Sequence, residues 1–202
     1  MTVGDPPELR PAACRAFRHS GLGRRWFLAS DTSLMLLRTA QPTDSVAVAA
    51  IHVRSWQGGY RGLLPDEYLD ALRAEDRAKH YTFGDPDPLK PTTIVAIEAG
   101  GICGFATVGP SRDRDDDGGG ELWGLYVDPD RWGVGIGRAL IEAARGRLAH
   151  RGYESASLWI LSGNRRAERF YTIDGWEPDD THRQDQIGGL TVTEDRYRRS
   201  LS

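Results

Sequence analysis

Lysine and cysteine are scarce in this 202-residue chain, which has two lysines, Lys79 and Lys90, and two cysteines, Cys14 and Cys103. With a formal net charge of −3 and so little lysine, it lacks the basic field that holds nucleic acid by its phosphates. The arginines are interleaved with Asp and Glu, the pattern of a solvated surface. The cysteines have no metal-binding or redox spacing, and two in a chain this long do not make a disulfide framework. A reducing, cytoplasmic setting is therefore expected. Long apolar runs are also missing. The longest, Val46 to Ile51, has six residues, against roughly 20 needed to span a bilayer, so no membrane partner is expected.

Residues 1–30 differ from the rest. They carry Pro6-Pro7 and five arginines against Asp5 and Glu8, a net +3 that leaves −6 for the remainder. No apolar signal-peptide core occurs there. A flexible arm, or a start codon placed too early, is expected, followed by one domain over residues 31–202.

The most informative stretch is Glu121 to Gly137. Leu122, Trp123, Leu125, Tyr126 and Val127 favour a strand, which Asp128-Pro129-Asp130 stops. Gly133, Gly135 and Gly137 follow at every second position, and Arg138 to Arg145 is a strong helix former. Strand, glycine loop and helix together make an anion cradle. Glycines let backbone amides approach a ligand, and the first helical amides have no intrahelical partner. A pyrophosphate is the expected guest. The P-loop is excluded because Gly137 is followed by Arg138-Ala139 rather than Lys-Ser/Thr. The dinucleotide fingerprint is excluded because Arg138 and Leu140 stand where its third glycine belongs, which disfavours a nucleotide-dependent oxidoreductase.

In chain order, Ser33–Thr39 reads as a strand and Thr43-Asp44 as a helix start. That helix runs to about Trp56, with Val46, Ala50, Val53 and Trp56 near one face. Pro65-Asp66 opens a second helix, with a further turn near Arg73–Tyr81. Thr92–Glu98 and Ile102–Val108 form a hairpin. Arg112–Gly120, with Asp115-Asp116-Asp117, reads as a solvated turn, because it lacks the alternation and distal Glu of a calcium loop. Ile136, Leu140, Ala144 and Leu148 form an apolar helical stripe. Ser155–Leu161 is a strand, and Asn164–Asp174 a short helix with Ala167, Phe170 and Tyr171 inward. Trp176–Pro178 and Leu190–Tyr197 close the sheet, with Thr181-His182-Arg183 in the loop between them.

This order resembles the GNAT superfamily of acyl-CoA-dependent N-acetyltransferases. Leu125-Tyr126-Val127-Asp128-Pro129 is similar to its fourth strand. Trp132-Gly133-Val134-Gly135-Ile136-Gly137 is similar to its Arg/Gln-x-x-Gly-x-Gly/Ala loop. Asn164 to Tyr171 with Gly175-Trp176 is similar to its Asn-x-x-Ala-x-x-Phe-Tyr motif. Ile51–Trp56 and Tyr60–Pro65 are similar to one broad bacterial branch. The resemblance spans about residues 33–200. It implies an α/β (α+β) GNAT fold, a mixed, mostly antiparallel sheet of six or seven strands flanked by helices and splayed between strands 4 and 5. One position departs, since Trp132 stands where the motif has Arg or Gln; it packs on the loop or lies against the cofactor.

The resemblance also implies the chemistry, transfer of an acetyl group from acetyl-CoA to a primary amine by direct attack, with no metal. Leu125, Tyr126 and Val127 would meet the pantetheine, with an amide near Val127 facing the thioester carbonyl. Trp132, Gly133, Val134, Gly135, Ile136, Gly137 and Arg138 would hold the pyrophosphate. Asn164 resembles the pantetheine-binding residue and equally reads as a helix N-cap; Ala167 belongs to the same motif. Tyr171 occupies the position of the general acid that protonates the leaving thiolate. Glu121 is the candidate base, directly or through a water, or a strand-end acid beside an acidic turn. Alternation puts Glu121, Trp123 and Leu125 on one face. His52 and His182 are lesser candidates. Trp56, Tyr60 and Arg61 supply aromatic and cationic surface for the acceptor, a small-molecule amine or a protein N-terminus. Family members often dimerise, so a homodimer is admitted. The competing expectation is an acyl-CoA-binding regulatory domain without turnover.

Overall fold

The computed structural model describes residues 35–202 apart from 86, 88, 114 and 117. The expected arm over residues 1–30 lies outside the described residues. The elements are β1 (Leu36–Thr39), α1 (Ser45–Gly59), α2 (Asp66–Ala71), α3 (Ala74–Ala78), β2 (Thr92–Glu98), β3 (Gly101–Pro110), β4 (Gly120–Val127), α4 (Ile136–His150), β5 (Ser155–Leu161), α5 (Arg165–Ile173), β6 (Glu177–Ile187) and β7 (Leu190–Ser200). The strands form one seven-stranded sheet in the order β1-β2-β3-β4-β5-β7-β6. Every pairing is antiparallel except β4 with β5. The expected mixed, mostly antiparallel architecture is what forms.

Alternation along the strands builds two cores. On one face, Ile94, Ala106, Val108, Leu122, Leu158 and Ile160 pack under the α4 stripe of Ile136, Leu140, Ala144 and Leu148. Leu140 and Leu148 are wholly buried, each contributing about 1.5–3 kcal/mol of apolar transfer. On the other, Val95 and Phe105 meet Val48 and Ile51 of α1. Gly104 makes the seating of α4 possible. A Cβ there would come within 2.9 Å of the Tyr126 carbonyl oxygen and 3.0 Å of Leu140 Cδ1.

Three sequence expectations change. Val46 is 65% exposed, because α1 turns Val48, Ile51, His52 and Ser55 inward instead. Thr181-His182-Arg183 is no loop: it lies within β6, whose register against β7 shifts between Pro178 and His182 around a left-handed Asp180 at φ 59°. Nor is the acidic tip simply solvated. Asp115 pairs with Arg196 at 2.9 Å and Asp116 with Arg198 at 3.1 Å, so β7 neutralises the turn. Asp117 lies outside the described residues.

Candidate functional site

The site begins with a break in the sheet. β4 and β5 pair only at Gly120↔Ala156 and Glu121↔Ser157, and beyond that their ladder stops. β4 stays paired with β3 and β5 with β7, so the two strands diverge toward their C-terminal ends. The Asp128 amide donates to the Cys103 carbonyl at 2.9 Å. In an antiparallel ladder, alternate residues turn their peptide groups away from the partner. Val127 and Leu125 therefore direct N–H and C=O into the gap. The Val127 carbonyl is already occupied, accepting from Ser55 Oγ and from the Trp132 indole, each at 2.8 Å. The Val127 amide is thus left facing the gap.

A bulge between Thr107 and Val108 changes the faces of β4. Leu122, Leu125 and Val127 join the core beneath α4, whereas Tyr126 joins the core beneath α1. The expected alternation of Glu121, Trp123 and Leu125 fails, because one extra residue flips every side chain beyond it.

Past the gap, Pro129–Arg131 forms a 3-10 turn and the glycine loop leads into α4. Gly133 and Gly135 are left-handed, at φ 81° and 95°, with open space where a Cβ would project. Among the described residues, the amides of Gly133, Val134, Gly135, Ile136, Gly137 and Arg138 have no protein acceptor. Together they form a row of outward-facing donors at the positive end of a 15-residue helix. Val134 and Arg138 are exposed and Ile136 is buried as the first core residue of α4. Gly137 packs against the Phe170 ring, a Cβ there lying 3.3 Å from it, which ties the loop to α5. Trp132 bridges elements. Its indole binds β4, its ring edge borders Gly58 of α1, and the Arg166 guanidinium lies 3.2 Å over its centroid.

α5 starts at Asn164, whose Oδ1 accepts from the Ala167 amide at 3.1 Å, so its carbonyl end caps the helix. Ala167 and Phe170 pack on the main core. Tyr171 is buried, with its ring edge-on to Phe170 and Trp176. Burial pushes its phenol well above the ordinary value, with the neighbouring Tyr126 and Asp174 adding to the shift. Tyr60 is also pushed up by burial, then by Tyr126 and Tyr171. The three phenols thus gather where α1, β4 and α5 converge, a cluster that sequence spacing does not reveal.

Glu121 sits at the closed end of the gap and is wholly buried. Its carboxylate accepts from the Arg112 amide at 2.9 Å and is bound by the Arg112 guanidinium, which covers the Trp123 ring at 4.5 Å. Of the three expected acceptor residues, the structure brings two together. Trp56 and Tyr60 meet edge to face at 5.1 Å. Arg61 is turned away and ion-paired with Asp66 and Asp70. His182 bonds Asp195 on the exposed β6–β7 surface.

His52 is buried and stacks on Tyr126 at 4.4 Å between ring centroids. Its Nδ1 accepts from Arg77 Nε at 3.3 Å and meets the Tyr81 hydroxyl. Burial, then the Arg77 charge, holds its pKa well below the usual value, so the ring is neutral near pH 7. His52 and Trp56 also form the floor of a cleft of about 270 Å³ between α1, α2 and α3, whose rim carries Tyr68, Arg73, Arg77 and His80. These residues carry no sequence signal, because Arg73 is the extended residue before α3 and Arg77 lies within that short helix.

The sequence profile of the acetyltransferase (GNAT) family matches residues 48–176. The chain is 31% identical over 134 residues to the uncharacterized N-acetyltransferase YuaI of Bacillus subtilis, covering 65% of this chain and 74% of that one. It is 33% identical over 154 residues to a mycothiol acetyltransferase of Thermobispora bispora, covering 73% of this chain but only 49% of that longer protein. Its fold is similar to that of yncA from Salmonella typhimurium, solved with acetyl-CoA, with a TM-score of 0.63 at 20% identity over 83% of this chain and 94% of that one. The parted β4 and β5, the uncapped glycine loop and the Asn164–Tyr171 helix all fall where that family profile aligns, and the chain belongs to the acetyltransferase (GNAT) family.

Proposed function

We infer that this protein transfers an acetyl group from acetyl-CoA to a primary amine by direct attack. The observation that carries this reading is the gap between β4 and β5, which opens onto an unpartnered row of amides from Gly133 to Arg138. The residues fit the cofactor: an extended pantetheine finds the peptide groups of Leu125 and the free amide of Val127, and the open space at Gly133 and Gly135 admits a pyrophosphate. Arg138 and Arg166 add positive charge beside the loop. Asn164 keeps its amide nitrogen for the pantetheine while its oxygen caps α5. Acetyl-CoA supplies the activated acyl group, and no metal is required.

The chain's residues then act in sequence. The Val127 amide, whose own carbonyl is tied to Ser55 and Trp132, donates to the negative charge that grows on the acetyl oxygen. The new N–C bond forms as the C–S bond breaks, and Tyr171 gives its proton to the departing sulfur. Its raised pKa keeps that proton in place at neutral pH. Glu121 takes the amine proton through water, since its carboxylate is enclosed by Arg112. Trp56 and Tyr60 line the acceptor side. The protein works as a cytoplasmic enzyme on a small amine or a protein N-terminus, as a monomer or homodimer.

The test is turnover of an amine panel with acetyl-CoA, read by mass spectrometry and by release of free thiol. Acetylated product that disappears in Tyr171→Phe, with acetyl-CoA binding retained, supports the reading. Tight CoA binding with no product from any amine would instead favour a non-catalytic acyl-CoA-binding domain.

A further inference from the structure

The cleft between α1, α2 and α3 carries two arginines, Arg73 and Arg77, and among the described residues neither has a carboxylate within 4 Å, as ten other arginines do. Arg73 donates to the backbone carbonyls of Asp70 and Leu72, and Arg77 to the neutral His52 ring. Both guanidiniums line the cleft and are exposed. The one carboxylate on the cleft wall, Asp76, is answered by Lys79 at 2.7 Å. Aromatic walls lie beneath Arg77, which is 5.9 Å from the Trp56 centroid and 6.0 Å from that of Tyr81.

The cleft also adjoins the reaction site. His52 and Trp56 form its floor, and the far face of His52 stacks on Tyr126, the β4 residue beside Val127. Trp56 in turn meets Tyr60, whose phenol lies with those of Tyr126 and Tyr171. Two stacked rings, His52 and Tyr126, therefore connect the cleft to β4 beside the gap. Two guanidiniums without a carboxylate partner, one of them over aromatic walls, match a small anion.

We propose that this cleft holds an anionic group of the acceptor, so that the substrate class is a small amine that also carries a carboxylate or phosphonate. The inference rests on the acetyl-transfer reading and names its acceptor. A neutral alkylamine leaves the arginines without a partner, and a peptide N-terminus brings no anion at a fixed distance from its amine.

The test uses the full chain and a series of ω-amino carboxylates of increasing spacer length. Each is paired with its primary carboxamide and, to separate the two anions, its phosphonate. The expected result is a kcat/KM at least about tenfold higher for the acid than for its carboxamide at the best spacer, the equivalent of one charge-assisted hydrogen bond. Arg73→Gln with Arg77→Gln should erase that preference, chiefly through KM for the acid, and Arg73→Lys with Arg77→Lys should restore part of it. Equal use of acid and carboxamide, an unchanged preference in the Gln variants, or faster turnover of a peptide N-terminus than of any acid overturns the proposal. If no amine is turned over, the acetyl-transfer reading itself fails. Calorimetric binding of the same pairs to the CoA-loaded protein then decides the cleft separately, with tighter binding of the acid, lost in the Gln variants, supporting it and equal binding refuting it.

Discussion

Arg166 of α5 lies 3.2 Å over the ring of Trp132, whose indole N–H is held by the Val127 carbonyl. This contact links the C-terminal end of β4, the entrance to the glycine loop and the helix that carries Tyr171. It also gives Trp132 a role at a position where the resembled motif has Arg or Gln. Trp132 acts through packing and one hydrogen bond rather than through charge.

Trp132→Ala should therefore raise KM for acetyl-CoA and lower the melting temperature. A Trp132→Leu/Arg166→Gln double-mutant cycle should give a coupling of about 0.5–1 kcal/mol, the scale of an exposed cation–π pair. Trp132→Arg should not substitute, because it sets two guanidiniums against each other. Thermal melts with and without CoA measure both effects.

Tyr171→Phe should lower kcat by about 10²–10⁴-fold, the usual scale of a general acid, while acetyl-CoA binding stays within about twofold of wild type. Burial raises the phenol's pKa, so wild-type kcat should show no alkaline limb from this residue below about pH 10. Tyr60, Tyr81 and Tyr126 are raised in the same direction. Their contribution to stability is full below about pH 10 and is lost as the pH climbs above it, which alkaline unfolding monitored by circular dichroism would record.

Glu121→Gln separates a base from a structural ion. Loss of the charged bond to the half-exposed Arg112 should cost about 1–2 kcal/mol. If Glu121 receives the amine proton, the acid limb of kcat/KM also disappears. Retention of that limb, with only a lower melting temperature, would restrict Glu121 to anchoring the β3–β4 connection.

His52 should make the fold acid-sensitive. Its folded pKa lies well below the ordinary 6.5 of a histidine, so the unfolded chain takes up the proton first. The stability it contributes is full above about pH 6.5 and declines as the pH falls below that. His52→Gln keeps an acceptor for Arg77 but cannot titrate, so its melting temperature should fall less between pH 7.5 and pH 5.5. Asp44, held low by Arg38, acts only below its ordinary 3.8 and leaves this window clear.

Arg196 should be the costliest cation to remove. Its side chain is 6% exposed, pairs with Asp113, Asp115 and Asp179, and lies near Trp159. Arg196→Met leaves Asp113 with Arg183 and the Trp159 indole and Asp179 with Arg198, so the loss of this one shared partner should cost about 1–3 kcal/mol. Asp179→Asn in the same chain should recover part of this, as denaturant midpoints would show.

Local chemistry by itself determined most of the fold and the cofactor half of the site. Gly133 and Gly135 need no distant partner to take left-handed backbone, and Asp128-Pro129 ends β4 wherever the sheet lies. The α4 stripe at Ile136, Leu140, Ala144 and Leu148 is a periodicity within one helix, and Asn164 caps its helix from three residues away. Each of these signals is complete within a few residues. Tertiary structure decided the rest, because the partners are far apart in the chain. The bulge that sends Tyr126 rather than Leu125 to the α1 side exists only against β3. Asp115 and Asp116 read as solvent-facing until β7 brings Arg196 and Arg198 beneath them. Arg61 was lost to the acids of α2, while Arg73 and Arg77 came to line the cleft with no carboxylate among the described residues within 4 Å of them. In Glu121–Gly137 the glycine end was therefore legible from sequence, whereas the surroundings of Glu121 were fixed only when Arg112 folded over it.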